Sequence, residues 1–235
     1  MKPNLPRRLT AEFLGSLLLV AAVVGSGIMA ERLANGNVAL ALLANTIATG
    51  AALVALIFTF GPISGAHFNP VVSVADALEG GLSWPDTFTY VLAQIVGGIA
   101  GTILSHVMFA LPLVSLSRHI RSGSAQFVSE FTATFGLVCV IWGCSRAWPR
   151  IVPFAVACYI TAAYWFTAST SFANPAVTIA RALSDTFAGI RPADVPLFIA
   201  AQLAGGIAAT LLFRWLIPKL PSVAKRVLVA HSEDT

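Results

Sequence analysis

The stretch SFANPAVT, Ser171–Thr178, and its near copy AHFNPVVS, Ala66–Ser73, each lie between long apolar runs. Asn is a favoured helix N-cap and Pro a favoured first helical residue, so each Asn-Pro pair starts a helix. Only about ten residues of helical character follow (VVSVADALEGG and AVTIARALSD) before Gly or charge intervenes, ~15 Å of helix, or half a bilayer. The segments before each Asn, GPISGAHF and TASTSFA, are rich in Gly, Ser and Thr and poorly suited to helix. Irregular backbone at membrane depth is tolerated only where it is buried in protein or lines a water-filled cavity.

The setting is a membrane. Of 235 residues 57% are hydrophobic and 10% charged, against about 25% charged in soluble domains. Six runs are apolar for long enough to cross a hydrocarbon core: 11–31, 38–60, 88–111, 127–148, 151–168 and 195–217. The first resembles a secretory signal in its basic start, but its apolar run exceeds the roughly 7–15 residues of a signal and contains Glu12, so it reads as a retained span. Nine of the fourteen Lys and Arg residues fall at the N-terminus (Lys2, Arg7, Arg8), between spans four and five (Arg146, Arg150) and at the C-terminus (Arg214, Lys219, Lys225, Arg226). The positive-inside rule then puts both termini in the cytoplasm, in the inner or plasma membrane. The net charge of +4 requires no nucleic acid, and Cys139, Cys144 and Cys158 have no His or carboxylate at metal-ligand spacing, so they read as small buried apolar residues and no metal site is expected.

The chain is a duplicated half. AQIVGGIAGTIL (93–104) returns as AQLAGGIAATLL (201–212), AEFLGSLLLV (11–20) as SEFTATFGLV (129–138), and the Asn-Pro pairs follow the same order. A unit of three spans, copied, must enter the membrane from the opposite side, so the halves are inverted and their half-helices meet near the midplane. The expected fold is an all-α membrane protein of six transmembrane helices plus two re-entrant half-helices in an inverted repeat. Its boundaries are a cytoplasmic N-terminus at 1–10, a first repeat at 11–114 with its half-helix at 69–78, a connection at 115–126, a second repeat at 127–217 with its half-helix at 174–183, and a cytoplasmic tail at 218–235.

Each half-helix start carries unsatisfied N–H groups and about half a positive charge, so two of them facing one spot repel cations. Asn69 and Asn174 can cap with the side-chain oxygen and turn the amide NH₂ to a passing solute, with Pro70 and Pro175 starting the helices. The carbonyls of Gly65, Ala66 and His67 and of Thr170, Ser171 and Phe172 are the matching acceptors. Gly97-Gly98 and Gly205-Gly206 read as sites of close helix packing.

SGAHFNP with its partner NPAVT, the two AQ..GG segments and the paired Glu resemble the major intrinsic protein family, the aquaporins and aquaglyceroporins, over roughly residues 8–218. The resemblance implies a passive pore, a homotetramer with one pore per subunit, no cofactor and no catalysis. It also implies that Glu12 and Glu130 anchor the re-entrant loops; an intramembrane carboxylate can alternatively relay protons. His67 reads as loop-anchoring or pore-lining.

Most members carry an Arg three residues after the second Asn, where this chain has Val177. Carried over from the resemblance by spacing from each Asn, the family's other filter positions fall on Thr49, Ala162 and Ser171. A filter of Thr49, Ala162, Ser171 and Val177 is wide and uncharged, which implies glycerol-like polyols, some water, and the neutral hydroxides of trivalent arsenic and antimony. That set most resembles the bacterial AqpS-type, arsenite-permeable branch. Arg181, four residues beyond Val177 and on the same helix face, is either a displaced outer guard or an Arg snorkelling to the interface. The alternative class is an inverted-repeat secondary transporter coupled to an ion gradient, for which His67 is the ionisable group near the Asn-Pro pairs.

Overall fold

The computed structural model of the chain describes residues 3–217. The expected cytoplasmic tail at 218–235, with Lys219, Lys225 and Arg226, and Lys2 at the other end lie outside the described residues. Eight α-helices follow one another: α1 Leu5–Leu33, α2 Val38–Ser64, α3 Pro70–Leu78, α4 Trp84–Met108, α5 Ser124–Ala147, α6 Val152–Phe166, α7 Pro175–Arg181 and α8 Val195–Leu216. Proline stands in the first turn of α1, α3, α4, α6, α7 and α8, where its missing N–H costs no intrahelical bond. Asn4, Asn37, Asn69, Ser83 and Asn174 cap α1, α2, α3, α4 and α7 with a side-chain oxygen.

Five helices are long and apolar enough to cross a membrane. The sixth, α6, has 15 residues, extended at its start by a single 3₁₀ turn, Pro149–Ile151. α3 and α7, of 9 and 7 residues, are the two half-helices.

Packing follows the duplication. α1 lies against α4 as α5 lies against α8, α2 crosses to α6, and α3 meets α7. Both repeats close the α1–α4 and α5–α8 seams at a glycine: a Cβ on Gly97 would overlap the carbonyl oxygen of Phe13, and one on Gly205 that of Phe131. Without Cβ the backbones approach closely, the usual device where lipid removes the hydrophobic drive for helix association. The exterior is apolar, with Leu18, Phe58, Phe88, Leu92, Phe154 and Trp215 among many large exposed side chains, a surface that only hydrocarbon covers cheaply. The cysteines share it. Cys158 is exposed and Cys139 and Cys144 are half-buried, where the sequence suggested burial; a small apolar group suits the lipid face as well as the core.

Candidate functional site

The two half-helices meet head to head, and the caps are reciprocal. Asn69 Oδ1 accepts from Val71 N at 2.9 Å while its Nδ2 donates to Ala173 O at 2.7 Å. Asn174 Oδ1 accepts from Ala176 N and Val177 N at 2.9 and 3.2 Å, and its Nδ2 donates to Phe68 O at 2.7 Å. Each amide thus caps its own helix, ties it to the other repeat's loop, and keeps a second N–H for the lumen. Pro70 and Pro175 follow as the first helical residues.

The loops leading to those caps are left-handed at Gly65, Ala66 and Phe68 and at Thr170, Ser171 and Ala173, so that each ends in an alternation, with His67 and Phe172 on the ordinary side between left-handed neighbours. Such alternation gathers successive N–H groups into a concavity that binds an anion. In each repeat the group seated in that concavity is the carboxyl of the buried glutamate. Glu12 accepts from His67 N at 3.0 Å, Phe68 N at 2.7 Å, Ser64 Oγ at 2.6 Å and Gln94 Nε2 at 2.8 Å. Glu130 accepts from Phe172 N and Ala173 N, both at 2.9 Å, and from Gln202 Nε2 at 2.6 Å. Non-Gly residues held left-handed cost about 1–2 kcal/mol each, and these bonds are what hold them there.

Gln94 and Gln202 complete both clusters and escaped the sequence reading. Each bridges its glutamate to a hydroxyl on the half-helix, Ser73 Oγ and Thr178 Oγ1, both at 2.9 Å. Their signal is the repeated Gln of the doubled AQ..GG segment. His67 is buried, its Nδ1 3.0 Å from Ser73 Oγ and its Nε2 3.7 Å from Asp76 Oδ2.

A single cavity passes the paired caps, with about 70 Å³ open to the centres of water-sized spheres. One water needs roughly 10–15 Å³ by that measure, so the space holds a short file of waters or one small polyol. Aliphatic residues of α1, α2, α5 and α6, such as Leu19, Leu53, Ile141 and Val156, form its apolar wall. The polar side is made by Asn69, Asn174, His67, Thr49, Tyr164 and Ser171. Of the expected carbonyl residues, Ala66, His67, Ser171 and Phe172 line it and Gly65 and Thr170 do not, since the chain is still turning in from the helix end at both. Phe68 and Ala173 join the lining, their oxygens already held by the asparagines.

Thr49, Ser171 and Val177 are among the residues lining the cavity. Ala162 is not. It is exposed on the outside of α6, while Val152, Val156, Ile160 and Tyr164, four apart, form the lining face. Residue 162 lies about 200° round the helix from either neighbour two residues away. Tyr164 therefore occupies the wall, its hydroxyl 3.3 Å from Thr49 Oγ1. Arg181 is 2% exposed and lines the cavity, which removes the interface-snorkelling alternative. Its Nε donates to Ala188 O and its guanidinium lies 3.4 Å from the centre of the Phe172 ring.

Comparison with known proteins gives concordant findings. The family model for major intrinsic proteins matches residues 1–160 and 146–234. The chain is 57% identical over 214 residues to aquaglyceroporin AqpS of Rhizobium meliloti, covering 91% of each. It is 31% identical over 151 residues to a glycerol uptake facilitator protein of Streptococcus pneumoniae, 57% of this chain and 62% of that one. Among solved structures the aquaglyceroporin from Plasmodium falciparum superposes with a TM-score of 0.69 at 20% identity, over 92% of this chain and 99% of the other, a likeness of fold.

Proposed function

The chain belongs to the major intrinsic protein family, and from that premise we propose that it is a passive transmembrane channel for small uncharged solutes. The solutes are glycerol-like polyols, the neutral hydroxides of trivalent arsenic and antimony, and some water. The observation that carries this reading is Val177 on the cavity wall beside Thr49, Tyr164 and Ser171, where most of the family places an Arg. The names of the relatives, aquaglyceroporin and glycerol uptake facilitator, support the polyol class.

The paired caps at Asn69 and Asn174 act as the centre of the pore. Two positive half-helix ends disfavour any cation there, while the free amide N–H groups and the carbonyls of Ala66, His67, Ser171 and Phe172 replace a neutral solute's hydration. The apolar wall makes no compensating bonds to an ion. Glu12 and Glu130 serve as loop anchors, and no catalytic role is assigned. Coupling to an ion gradient finds little support: both carboxylates are enclosed in hydrogen bonds away from the lumen. The protein is a homotetramer of the inner or plasma membrane, with both termini cytoplasmic. The nine basic residues that fall, by sequence, at the N-terminus, between spans four and five and at the C-terminus support that orientation.

Stopped-flow on proteoliposomes under inward gradients of neutral arsenite, glycerol and water tests the reading, with Val177→Arg as the comparison. Fast solute flux that falls in the Arg variant is expected. A guanidinium about 6 Å from a permeating cation contributes ~3 kcal/mol at an effective dielectric near 20, so the variant's cation leak should also drop by up to ~100-fold. Water flux alone, unaltered by the substitution, would overturn the account of the constriction, and saturable uptake driven by an ion gradient would favour the coupled transporter.

A further inference from the structure

The constriction has a cationic residue after all. Arg181, the last residue of α7, has no carboxylate within salt-bridge distance among the described residues, although it is 2% exposed at membrane depth. A buried guanidinium without a partner is costly, and inside a membrane protein it marks a pathway more often than a scaffold. Its surroundings hold it rigidly. Nε is bonded to Ala188 O, and the flat face lies on Phe172. Phe172 also carries the guanidinium of Arg121 at 5.0 Å, itself fixed to Gly189 O and Ser169 O at 2.8 and 3.0 Å. Neither Nη of Arg181 donates a hydrogen bond to the protein among the described residues, and the residue lines the cavity.

A second, independent observation is a pair of hydroxyls on the same cavity, those of Thr49 and Tyr164. The hydroxyls of Thr49 and Tyr164 share one bond between them, which leaves one proton and several lone pairs facing inward. The polar edge therefore offers a cationic donor fork from Arg181 together with hydroxyl groups that both donate and accept, next to the apolar Val177.

We propose that Arg181 and Tyr164, with Thr49, form a subsite that reads the hydroxyls of the passing solute and selects small neutral polyhydroxy molecules over equally small solutes with fewer hydroxyls. The proposal rests on the channel reading and deepens it. Arg181 supplies from one turn further along α7 what Val177 lacks. A solute with adjacent hydroxyls offers oxygens to the Nη groups and protons to Thr49 and Tyr164 at once. Urea offers one oxygen and no hydroxyl.

The test uses the full chain in proteoliposomes, with glycerol and urea gradients run on native protein, Arg181→Met, Arg181→Lys and Tyr164→Phe. Monodispersity and an unchanged thermal midpoint certify each variant as folded. The glycerol-to-urea flux ratio should fall by about 10-fold in Arg181→Met and about 3-fold in Tyr164→Phe, the loss of a charged and a neutral hydrogen bond respectively. Arg181→Lys should keep cations out yet lose most of the ratio, because a point charge lacks the fork. If Arg181→Met does not assemble, Arg181→Lys and Tyr164→Phe decide. A ratio unchanged in the folded variants, with fast native glycerol flux, overturns this proposal alone. Native protein that passes neither solute above empty liposomes overturns the channel reading with it.

Discussion

Replacing either loop-anchoring glutamate by alanine should unseat one half of the pore, and the size of the loss follows from the bonds. Glu130→Ala strands the N–H groups of Phe172 and Ala173, which have no other acceptor nearby, whereas Gln202 keeps Thr178 Oγ1. Two stranded buried donors cost ~2–6 kcal/mol, a large share of a total stability of about 5–15 kcal/mol. Glu12→Ala strands His67 N and Phe68 N in the same way and also frees Ser64 Oγ, so its cost should be equal or slightly greater. Glu130→Gln keeps one acceptor and turns an NH₂ toward one of the two backbone donors, so about half the penalty is expected. The left-handed Ser171 and Ala173 would then relax, carrying Ser171 away from the constriction and loosening the Asn69 bond to Ala173 O. Apparent thermal midpoints of the purified protein in detergent, read beside glycerol flux in liposomes, measure both consequences. The order should be native, then Gln, then Ala, with a drop of at least ~5 °C for the alanine variants. A Glu130→Ala protein that melts within about 2 °C of native and conducts at the native rate would refute the view that these carboxylates hold the loops.

Gly97→Ala and Gly205→Ala should both fail to assemble as monodisperse protein, because the added methyl overlaps a backbone oxygen that cannot move without parting two helices; Gly25→Ala, whose nearest neighbour is 3.5 Å away, should behave as native on size exclusion. Away from the membrane, backbone and side-chain bonds from Arg118 hold the Asp185 carboxyl below its ordinary pKa. A depressed carboxylate contributes stability that is present above its ordinary pKa and lost as the pH falls through the depressed value. The Arg118 side chain is 89% exposed, so Asp185→Asn should cost under ~1 kcal/mol near neutrality, less in high salt, and should flatten the acid limb of a melting-midpoint profile.

The family of structures open to this chain was narrow before any coordinates. Doubled Asn-Pro pairs, three apolar spans per copy and a glutamate in equivalent places leave an inverted repeat with two half-helices meeting inside a membrane, because an odd number of spans reverses the second copy. That Val177 and Ser171 line the cavity was also legible, since they lie within three residues of Asn174 on a segment whose geometry the Asn-Pro start dictates. Residues tied to the site through a long helix were not. α6 is apolar all round, so its pattern does not distinguish the face toward lipid from the face toward the lumen, and counting back from Asn174 landed on Ala162 where the wall presents Tyr164. Gln94 and Gln202 come from helices far along the chain, and that each bridges a glutamate to a half-helix hydroxyl is a property of three elements packed together. Arg181 depended most on the tertiary structure. Its sequence neighbours allow it to reach the interface or the lumen equally well, and the choice is made by Phe172 and Ala188 O, which give its guanidinium a face and an acceptor inside the cavity. Periodicity and repeat fixed where the backbone goes; which side chains meet in the lumen depended on rotation about helix axes that an apolar exterior leaves unmarked.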